Sequence, residues 1–435
     1  MEATRPGANG HKRDRAVRRK WYQVLGPGLV TGAADDDPSG IATYSQVGAQ
    51  FGYGMLWVSL FAYPLMTAIQ EISGRIGRTT GRGIAANVRR FYTPWLLYPL
   101  LFVTVVANTI NLAADLGAMG EGLKLLIPKL PEIGCVVGFT TVTLLSIIFV
   151  PYSQYAKWLK WLTMALFAYV ATVFVVHVPW KTAIFHTIVP HIQMTRDFAV
   201  GLTAVLGTTI SPYLFFWQAS EEVEEERDAP TQMPLLRAPR QAISELRRIR
   251  ADTLIGMGFS ELIAFFIILT AAVTLHRHGV TDVNTASQAA EALRPIAGKY
   301  AFDLFVAGIV GTGLLAVPVL GASSAYAIGE ALRWPVGLEH KPQRSKRFYG
   351  LLAATLVFGL ALNLIHIDPI KALFWSAVLN GVVSVPIMIV MMIMASNPKI
   401  MGQFVIPRVL KIVGWIATVL MAIAAVVMFA TMGKS

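Results

Sequence analysis

The sequence of 435 residues contains one cysteine, Cys135, and few charged residues. A lone cysteine excludes a disulfide framework and any metal site built from several thiolates. Asp, Glu, Lys and Arg make up 14% of the residues, against about 25% in an ordinary soluble domain. A soluble protein of this length needs a polar surface that this composition does not supply.

What the chain has in abundance is apolar sequence. Hydrophobic residues make up 55% of it and the mean hydropathy is +0.56. Apolar stretches long enough to cross about 30 Å of hydrocarbon recur from end to end. Only helices or closed barrels satisfy backbone polar groups in lipid, and the short alternating segments of barrel strands are missing. The sequence therefore predicts an all-α, polytopic protein of the cell membrane, in contact with the lipid bilayer.

Basic residues indicate the topology. The net charge is +12, but the Lys and Arg residues lie in short loops between apolar segments, which argues against a nucleic-acid partner. We expect residues 1–20 to form a disordered, basic, cytoplasmic tail without a signal peptide. Residues 21–435 form one transmembrane domain, with the N-terminus cytoplasmic and the C-terminus extracytoplasmic. Eleven spans are predicted: Tyr22–Phe51, Met55–Gly74, Trp95–Leu126, Ile133–Val150, Trp158–Val176, Phe198–Ala219, Thr253–Leu275, Phe302–Ile328, Phe348–Leu364, Ile370–Met394 and Val409–Met432.

The predicted internal loop over residues 220–250 begins acidic, with "SEEVEEERDA", and ends basic. We expect a solvated linker. The alternative is that Glu221 and Glu222 line an inner vestibule that concentrates cations.

Two predicted spans carry helix breakers near their midpoints. The first span contains Asp37-Pro38-Ser39-Gly40, directly after Asp35 and Asp36. An ionised carboxylate costs about 2.5 kcal/mol or more at mid-membrane unless something compensates its charge. One aspartate before a proline is a common helix N-cap, but capping does not account for three. We predict that Asp37 faces a transported cation.

The sixth predicted span is interrupted at Ser211-Pro212-Tyr213, just after Thr208. Paired interruptions in corresponding helices point to a transporter site, because unwound helices expose carbonyls and helix ends to a charged solute. The side-chain oxygens of Thr208, Ser211 and Tyr213 are candidate metal contacts. Asn380, deep in the tenth span, either lines the pathway or makes an interhelical hydrogen bond.

The segment "GPGLVTGAADDDPSGIATYSQVGAQFGYGMLW" resembles the first helix of the NRAMP family of divalent-metal transporters. The likeness continues through "TGRGIAANV", "GTTISPYL", "RADTLI", "TDVNTASQAAEAL" and "NPKIMGQFV", over essentially the whole chain. The resemblance implies a LeuT-like fold: inverted five-helix repeats over about 21–177 and 196–394, with an eleventh helix over about 409–432. It also implies metal uptake toward the cytoplasm, with the cation as substrate rather than cofactor.

The sequence departs from the family at the implied metal site. The family's aspartate is present as Asp37, but its asparagine position is occupied by Gly40. Where the family has Met-Pro-His, this chain has Ser211-Pro212-Tyr213. Oxygen donors without sulfur suit a hard ion, and Mg²⁺ is usually bound with several of its waters. The pattern resembles the NRAMP-related magnesium transporters, although Mn²⁺ is also an option.

Proton coupling is expected to be weak or absent. Typical family members place acidic residues along the third span, where this chain has Asn111 and Ala114. Asp115 is adjacent but turned by about 100° on a helix, so it is either a substitute or a structural partner.

Two alternatives stay open: a proton-coupled Mn²⁺ or Fe²⁺ transporter, and a LeuT-like carrier of an organic cation or amino acid. Asp37 argues against an amino acid, whose carboxylate it would repel. Glu261, inside the seventh span, is either a site residue or a buried hydrogen-bonded partner. The loops contain no nucleophile–base pair, so we expect a transporter, acting as a monomer, and not an enzyme.

Overall fold

A computed structural model of the protein describes residues 27–150, 154, 164–229, 231–339, 342–365 and 368–432. These ranges contain helices and no β-strand. The expected tail over residues 1–20 lies outside the described residues, and so does most of the first half of the predicted fifth span.

The described helices are numbered in chain order. In the first half they are α1 Pro27–Asp35, α2 Pro38–Phe51, α3 Leu56–Thr80, α4 Ile84–Phe91, α5 Pro94–Leu126, α6 Glu132–Phe149, α7 Phe167–Val175 and α8 Trp180–Ile188. In the second half they are α9 Arg196–Thr209, α10 Pro212–Asp228, α11 Ala242–Thr274, α12 Ala286–Glu291, α13 Arg294–Ala297, α14 Ala301–Ala331, α15 Lys346–Leu362, α16 Pro369–Ala395, α17 Pro398–Met401 and α18 Arg408–Met432. Short 3-10 turns cover Gly52–Met55, Met164–Leu166, Pro239–Gln241, His276–His278, Gly298–Tyr300, Asn363–Ile365 and Gly402–Phe404.

Nine helical segments of the described chain are long and apolar enough to cross a membrane. One of them, Pro38–Thr80, takes in the end of the first predicted span and all of the second, because only a 3-10 turn separates α2 from α3. Met164–Val175 is a shorter apolar helix at the end of the predicted fifth span. The all-α, polytopic architecture predicted from the sequence is therefore confirmed.

Both predicted helix breaks are present, and each has a proline at the first turn of its second half. Pro38 begins α2 and Pro212 begins α10, where the missing proline N–H costs nothing because that N–H has no partner inside the helix. Asp37 caps α2, accepting a hydrogen bond of 2.8 Å from the Gly40 N–H. The N-cap interpretation of this aspartate is correct, and its position at the break is correct as well.

A close backbone contact joins α9 to α16. A Cβ atom added to Gly207 would lie 2.0 Å from the Ala377 carbonyl oxygen, and one added to Gly381 would lie 2.6 Å from the Thr203 carbonyl oxygen. Only glycine permits this approach, and it holds the first half of the broken sixth span against the tenth.

The expectation of a solvated linker after residue 220 is wrong for its acidic part. The helix α10 continues to Asp228 and buries the side chains of Glu222, Glu224 and Glu226. Arg248 of α11 supplies the missing countercharge, with its guanidinium 2.5 Å from Glu222 and 2.9 Å from Glu225. Glu222 is therefore ion-paired and does not line an open vestibule.

Replacing Arg248 by methionine is expected to destabilise the fold by about 3–5 kcal/mol, because Glu222 would stay buried without its cation. Thermal unfolding in detergent measures the loss. The control is Lys124→Ala, which removes an exposed pair with Glu132 at 3.3 Å and should cost less than about 1 kcal/mol. Equal effects of the two substitutions would contradict the structural role of Arg248.

Candidate functional site

Asp37 lies at the centre of the site, with its side chain buried where the two breaks meet. Its Oδ1 accepts hydrogen bonds from the Ser39 hydroxyl at 2.6 Å and the Gly40 N–H at 2.8 Å. Its Oδ2 accepts one from Asn111 at 3.0 Å and a long one from the Tyr213 hydroxyl at 3.5 Å. All four donors are neutral. In the part of the chain that the structure describes, no Lys, Arg or His forms an ion pair with Asp37.

Hydrogen bonds join the halves of the two broken helices in pairs. The first half of the broken first span, α1, is joined to the second half of the broken sixth span, α10. Tyr213 of α10 donates to the Ala34 carbonyl of α1 at 2.8 Å, and Thr31 of α1 donates to Gln218 of α10 at 2.5 Å. On the other side of the break, α2 and α9 are joined by hydroxyl pairs, Ser39–Thr208 at 3.4 Å and Tyr44–Thr209 at 3.2 Å. The structure thus brings Thr208 and Tyr213 to Asp37.

Gly40 also faces the other broken helix. A Cβ atom at this position would lie 3.3 Å from the Thr208 hydroxyl and 3.4 Å from the Asp35 carbonyl oxygen. A larger residue here would need Thr208 to move, so glycine permits the close packing of the two breaks.

Ser211 is oriented differently from the expectation. Its hydroxyl lies 2.8 Å from the Gly207 carbonyl oxygen and 2.7 Å from that of Thr208, so it satisfies acceptors of its own broken helix. The Ile210 carbonyl accepts from Ser384 of α16 at 2.6 Å. Among the described residues, no hydrogen bond joins Ser211 to Asp37. Ser211 would have to rotate to contact a cation.

Asn111 is a site residue that sequence reasoning treated only as a lost acidic position. Besides donating to Asp37, it accepts a hydrogen bond of 2.7 Å from Ser376. It thereby connects α5 and α16 to the broken first span. The signal in the sequence was an amide in an otherwise apolar helix, but the rotation of α5 decides which partner the amide meets.

Asn380 lies on the same face of α16 as Ser376 and Ser384, one turn from each. Ser376 reaches the Asp37 cluster and Ser384 reaches the carbonyl at the sixth-span break. Asn380 is fully buried, and in the described structure neither atom of its amide has a hydrogen-bond partner. The structure therefore shows no interhelical hydrogen bond for Asn380 among the described residues, and a role in lining the pathway stays a prediction.

Further carboxylates are buried near this centre. The Ser260 hydroxyl lies 2.6 Å from Asp35 and 3.1 Å from Asp36. Asp115 and Glu261 are buried too. Asp115 lies near Asp37 and the backbone N–H of Ser39, and Oε1 of Glu261 has no hydrogen-bond partner among the described residues. In the same ranges, no group of three or more His, Cys, Asp and Glu side chains is arranged to hold a metal ion by itself.

A polytopic helical protein whose two interrupted helices meet at a buried carboxylate is a membrane transporter, not an enzyme. More particularly, the chain belongs to the Nramp family: the family model described as natural resistance-associated macrophage protein-like matches residues 28–431. The resemblance recognised in the sequence is confirmed.

Similar proteins cover almost the whole chain. The divalent metal cation transporter MntH of Klebsiella pneumoniae strain 342 is 25% identical over 408 residues, 92% of each chain. MntH of Verminephrobacter eiseniae is 26% identical over 379 residues, 82% of each chain. Among solved structures, a variant of the Eremococcus coleocola manganese transporter superposes with a TM-score of 0.68 at 14% identity, covering 94% of this chain and 87% of that one.

The fold is also shared outside this family. Mhp1, a nucleobase-cation-symport-1 family transporter in a closed conformation, superposes with a TM-score of 0.58 at 13% identity, covering 94% of this chain and 93% of that one. This similarity confirms the expected LeuT-like architecture.

Proposed function

We propose that the protein imports a divalent metal cation into the cytoplasm by alternating access, with Mg²⁺ as the preferred ion and Mn²⁺ as a second substrate. Transport has weak or no proton coupling, and the chain acts as a monomer with its N-terminus cytoplasmic and its C-terminus outside. Residues 21–177 and 196–394 serve as the inverted repeats, and 409–432 as the additional helix. The relatives named as divalent metal cation transporters support the cation class.

The donors around Asp37 support a hard ion. The carboxylate of Asp37, the hydroxyls of Thr208 and Tyr213 and the amide of Asn380 all offer oxygen. A serine whose hydroxyl is already bonded to backbone stands at position 211, where a thioether would favour softer metals. Mg²⁺ usually keeps several waters, and because Gly40 is packed closely against Thr208 and Tyr44, a hydrated ion would need the two breaks to move apart. The observation that carries the proposal is the buried Asp37 with only neutral hydrogen-bond partners.

A cavity lies beside the second half of the broken first helix, and Asp37, which is buried, is not among the residues that line it. The cavity, of about 240 Å³, is lined by Ala42 and Gln46 of α2, by Val200 of α9 and by Lys371 of α16. Ala42 is two residues from Gly40. In the proposed orientation this cavity opens to the outside, and it places the entrance next to the second half of the broken first helix.

The partners of Asp37 support weak proton coupling. Asn111 bonds directly to the carboxylate, and an amide neither takes up nor releases a proton in this range. The membrane potential then drives entry, contributing about 2.3 kcal/mol per charge per 100 mV, or roughly 4–5 kcal/mol for a divalent ion.

A second candidate is a proton-coupled Mn²⁺ transporter. The specific observation in its favour is Asp115, a buried carboxylate one residue beyond Ala114 that lies near Asp37 and forms no ion pair with a described residue. It could carry the proton that Asn111 cannot.

The test uses the full chain in proteoliposomes that contain both a Mg²⁺-sensitive and a pH-sensitive dye. We expect Mg²⁺ entry that an inside-negative potassium diffusion potential accelerates, without acidification of the lumen, and competition by Mn²⁺. Asp115→Asn should leave this flux unchanged. Acidification that follows Mn²⁺ entry and disappears in Asp115→Asn would favour the second candidate, and the absence of any divalent flux would favour a non-metal solute.

A further inference from the structure

A second cavity, of about 200 Å³, lies away from the Asp37 site. Four arginines line it: Arg82 after α3, Arg89 on α4, Arg227 near the end of α10 and Arg333 just after α14. In the proposed orientation this is the cytoplasmic face. The cavity therefore sits where the ends of three helices meet.

Three of these guanidinium groups make no direct contact with an acceptor among the described residues, although the charge of Arg227 acts on Glu224 and Glu330. The side chains of Arg82, Arg227 and Arg333 form no hydrogen bond or ion pair with any described residue. Arg89 donates to the Glu330 carbonyl at 2.9 Å and to the Ala331 carbonyl at 3.3 Å, which caps the end of α14.

The positive charges act on one another. Burial, followed by the charges of Arg90, Arg237 and Arg89, lowers the pKa of Arg82. Burial and then Arg333 lower the pKa of Arg89, against a smaller opposite effect of Glu330. Both shifts show that the half-buried Arg82 and Arg89 lie among other positive charges.

The two carboxylates that line the cavity are bound by neutral donors. Glu330 accepts from the Ala86 N–H at 3.1 Å and from the Ser220 hydroxyl at 3.0 Å. Glu224 accepts from the Leu338 N–H at 3.1 Å and from the Tyr326 hydroxyl. Neither is in salt-bridge contact with the four arginines, so the guanidinium donors stay available while two negative charges face four positive ones.

Arg333 is held in an uncommon backbone conformation. Its φ of 61° is the one positive value for a non-glycine residue in the described chain. Glycine is the usual residue just after a helix end in this conformation, and an arginine there costs about 1 kcal/mol or more. Glycine at position 333 would remove this backbone cost. We therefore attribute the presence of arginine there to its guanidinium group.

We infer that this cavity binds a phosphate group, supplied either by a soluble cytoplasmic anion or by the head group of an anionic lipid. Guanidinium groups match phosphate oxygens with paired N–H donors, and unpaired arginines around a small cavity are the arrangement that such recognition needs. The bound group connects α4, α10 and the end of α14. It is independent of which ion the Asp37 site carries.

The experiment follows thermal unfolding of the full chain in neutral detergent, without divalent metal, at constant ionic strength. Pyrophosphate at about 100 times its Kd should raise the unfolding temperature by roughly 3 °C relative to chloride. Arg333→Gly relaxes the backbone and so should fold at least as stably, yet weaken pyrophosphate binding about tenfold. Arg82→Gln should likewise weaken pyrophosphate binding about tenfold. The control Arg344→Gln removes an exposed charge of the neighbouring loop that does not line the cavity.

A parallel arm places the protein in nanodiscs of phosphatidylcholine alone or mixed with phosphatidylglycerol. A pyrophosphate shift that Arg333→Gly reduces to about half and Arg344→Gln keeps supports a soluble anion. A shift that appears only with phosphatidylglycerol and shows the same dependence supports a lipid head group. If neither arm shows a shift, or if Arg344→Gln reduces it as much as Arg333→Gly does, the inference is overturned.

Discussion

Replacing Asp37 by asparagine is expected to reduce divalent-cation uptake into proteoliposomes by roughly 100-fold, the factor that corresponds to about 2.7 kcal/mol. The substitution keeps the size of the side chain and removes the charge that attracts the ion. In the unchanged protein both carboxylate oxygens accept hydrogen bonds, Oδ1 from Ser39 and Gly40 and Oδ2 from Asn111. Whichever way the new asparagine amide turns, its NH₂ group therefore faces a hydrogen-bond donor. The initial rate of Mg²⁺ entry, normalised to reconstituted protein, measures the effect.

Asp37→Ala should abolish uptake as well and in addition lose the cap of α2, at a cost of about 1 kcal/mol in stability. The matched control is Asp303→Asn, an exposed carboxylate in the first turn of α14. It should transport as the unchanged protein does. Uptake that survives in Asp37→Asn, with folding confirmed by size-exclusion chromatography, would remove the carboxylate from the mechanism.

Gly207→Ala is expected to give little folded protein and no transport. The added methyl would lie 2.0 Å from the Ala377 carbonyl oxygen and 2.4 Å from the Gly381 nitrogen, both parts of the backbone that no rotamer change can move aside. Overpacking of this kind costs about 1–3 kcal/mol or more. It would also displace Thr208, the next residue, from Gly40 and Ser39. The yield of monodisperse protein and its unfolding temperature report the first effect, and Mg²⁺ flux reports the second.

Gly350→Ala, in the interior of α15, is the control for this substitution. A Cβ atom there meets nothing within 4 Å, and alanine is the better helix former by about 1 kcal/mol. We therefore expect unchanged or improved stability and full transport. Similar losses for both substitutions would mean that the close approach of α9 and α16 is not the cause.

The main features of the site were predictable from the sequence because they depend on local chemistry. Pro38 and Pro212 each begin the second half of a broken helix, whereas Pro64, Pro99, Pro318 and Pro386 lie inside continuous helices. What marked the first break in the sequence was the aspartate before Pro38, which could be read as both a cap and a charge. The pairing of two such breaks then indicated that they meet. The structure places Gly40, Thr208 and Tyr213 at the same point, and their contacts with a cation stay a prediction.

What the sequence did not reveal depends on partners far along the chain. The hydrogen bond from Ser376 to Asn111 joins residues on α16 and α5, and only the rotation of both helices brings them together. The acidic run after residue 220 looked solvated because its charges are consecutive. It is buried instead because Arg248, on another helix, and Arg78, earlier in the chain, lie against it. Local charge patterns do not contain that information.

The hydrogen bonds between half-helices have a consequence for movement. Tyr213 and Thr31 tie α1 to α10, while Ser39 and Tyr44 tie α2 to α9. The four halves are therefore tied into two pairs that meet at residues 35–38 and 209–212. Under the proposed alternating access each pair would move as one body, and an ion held where the pairs meet would travel almost no distance as access passes from one face to the other.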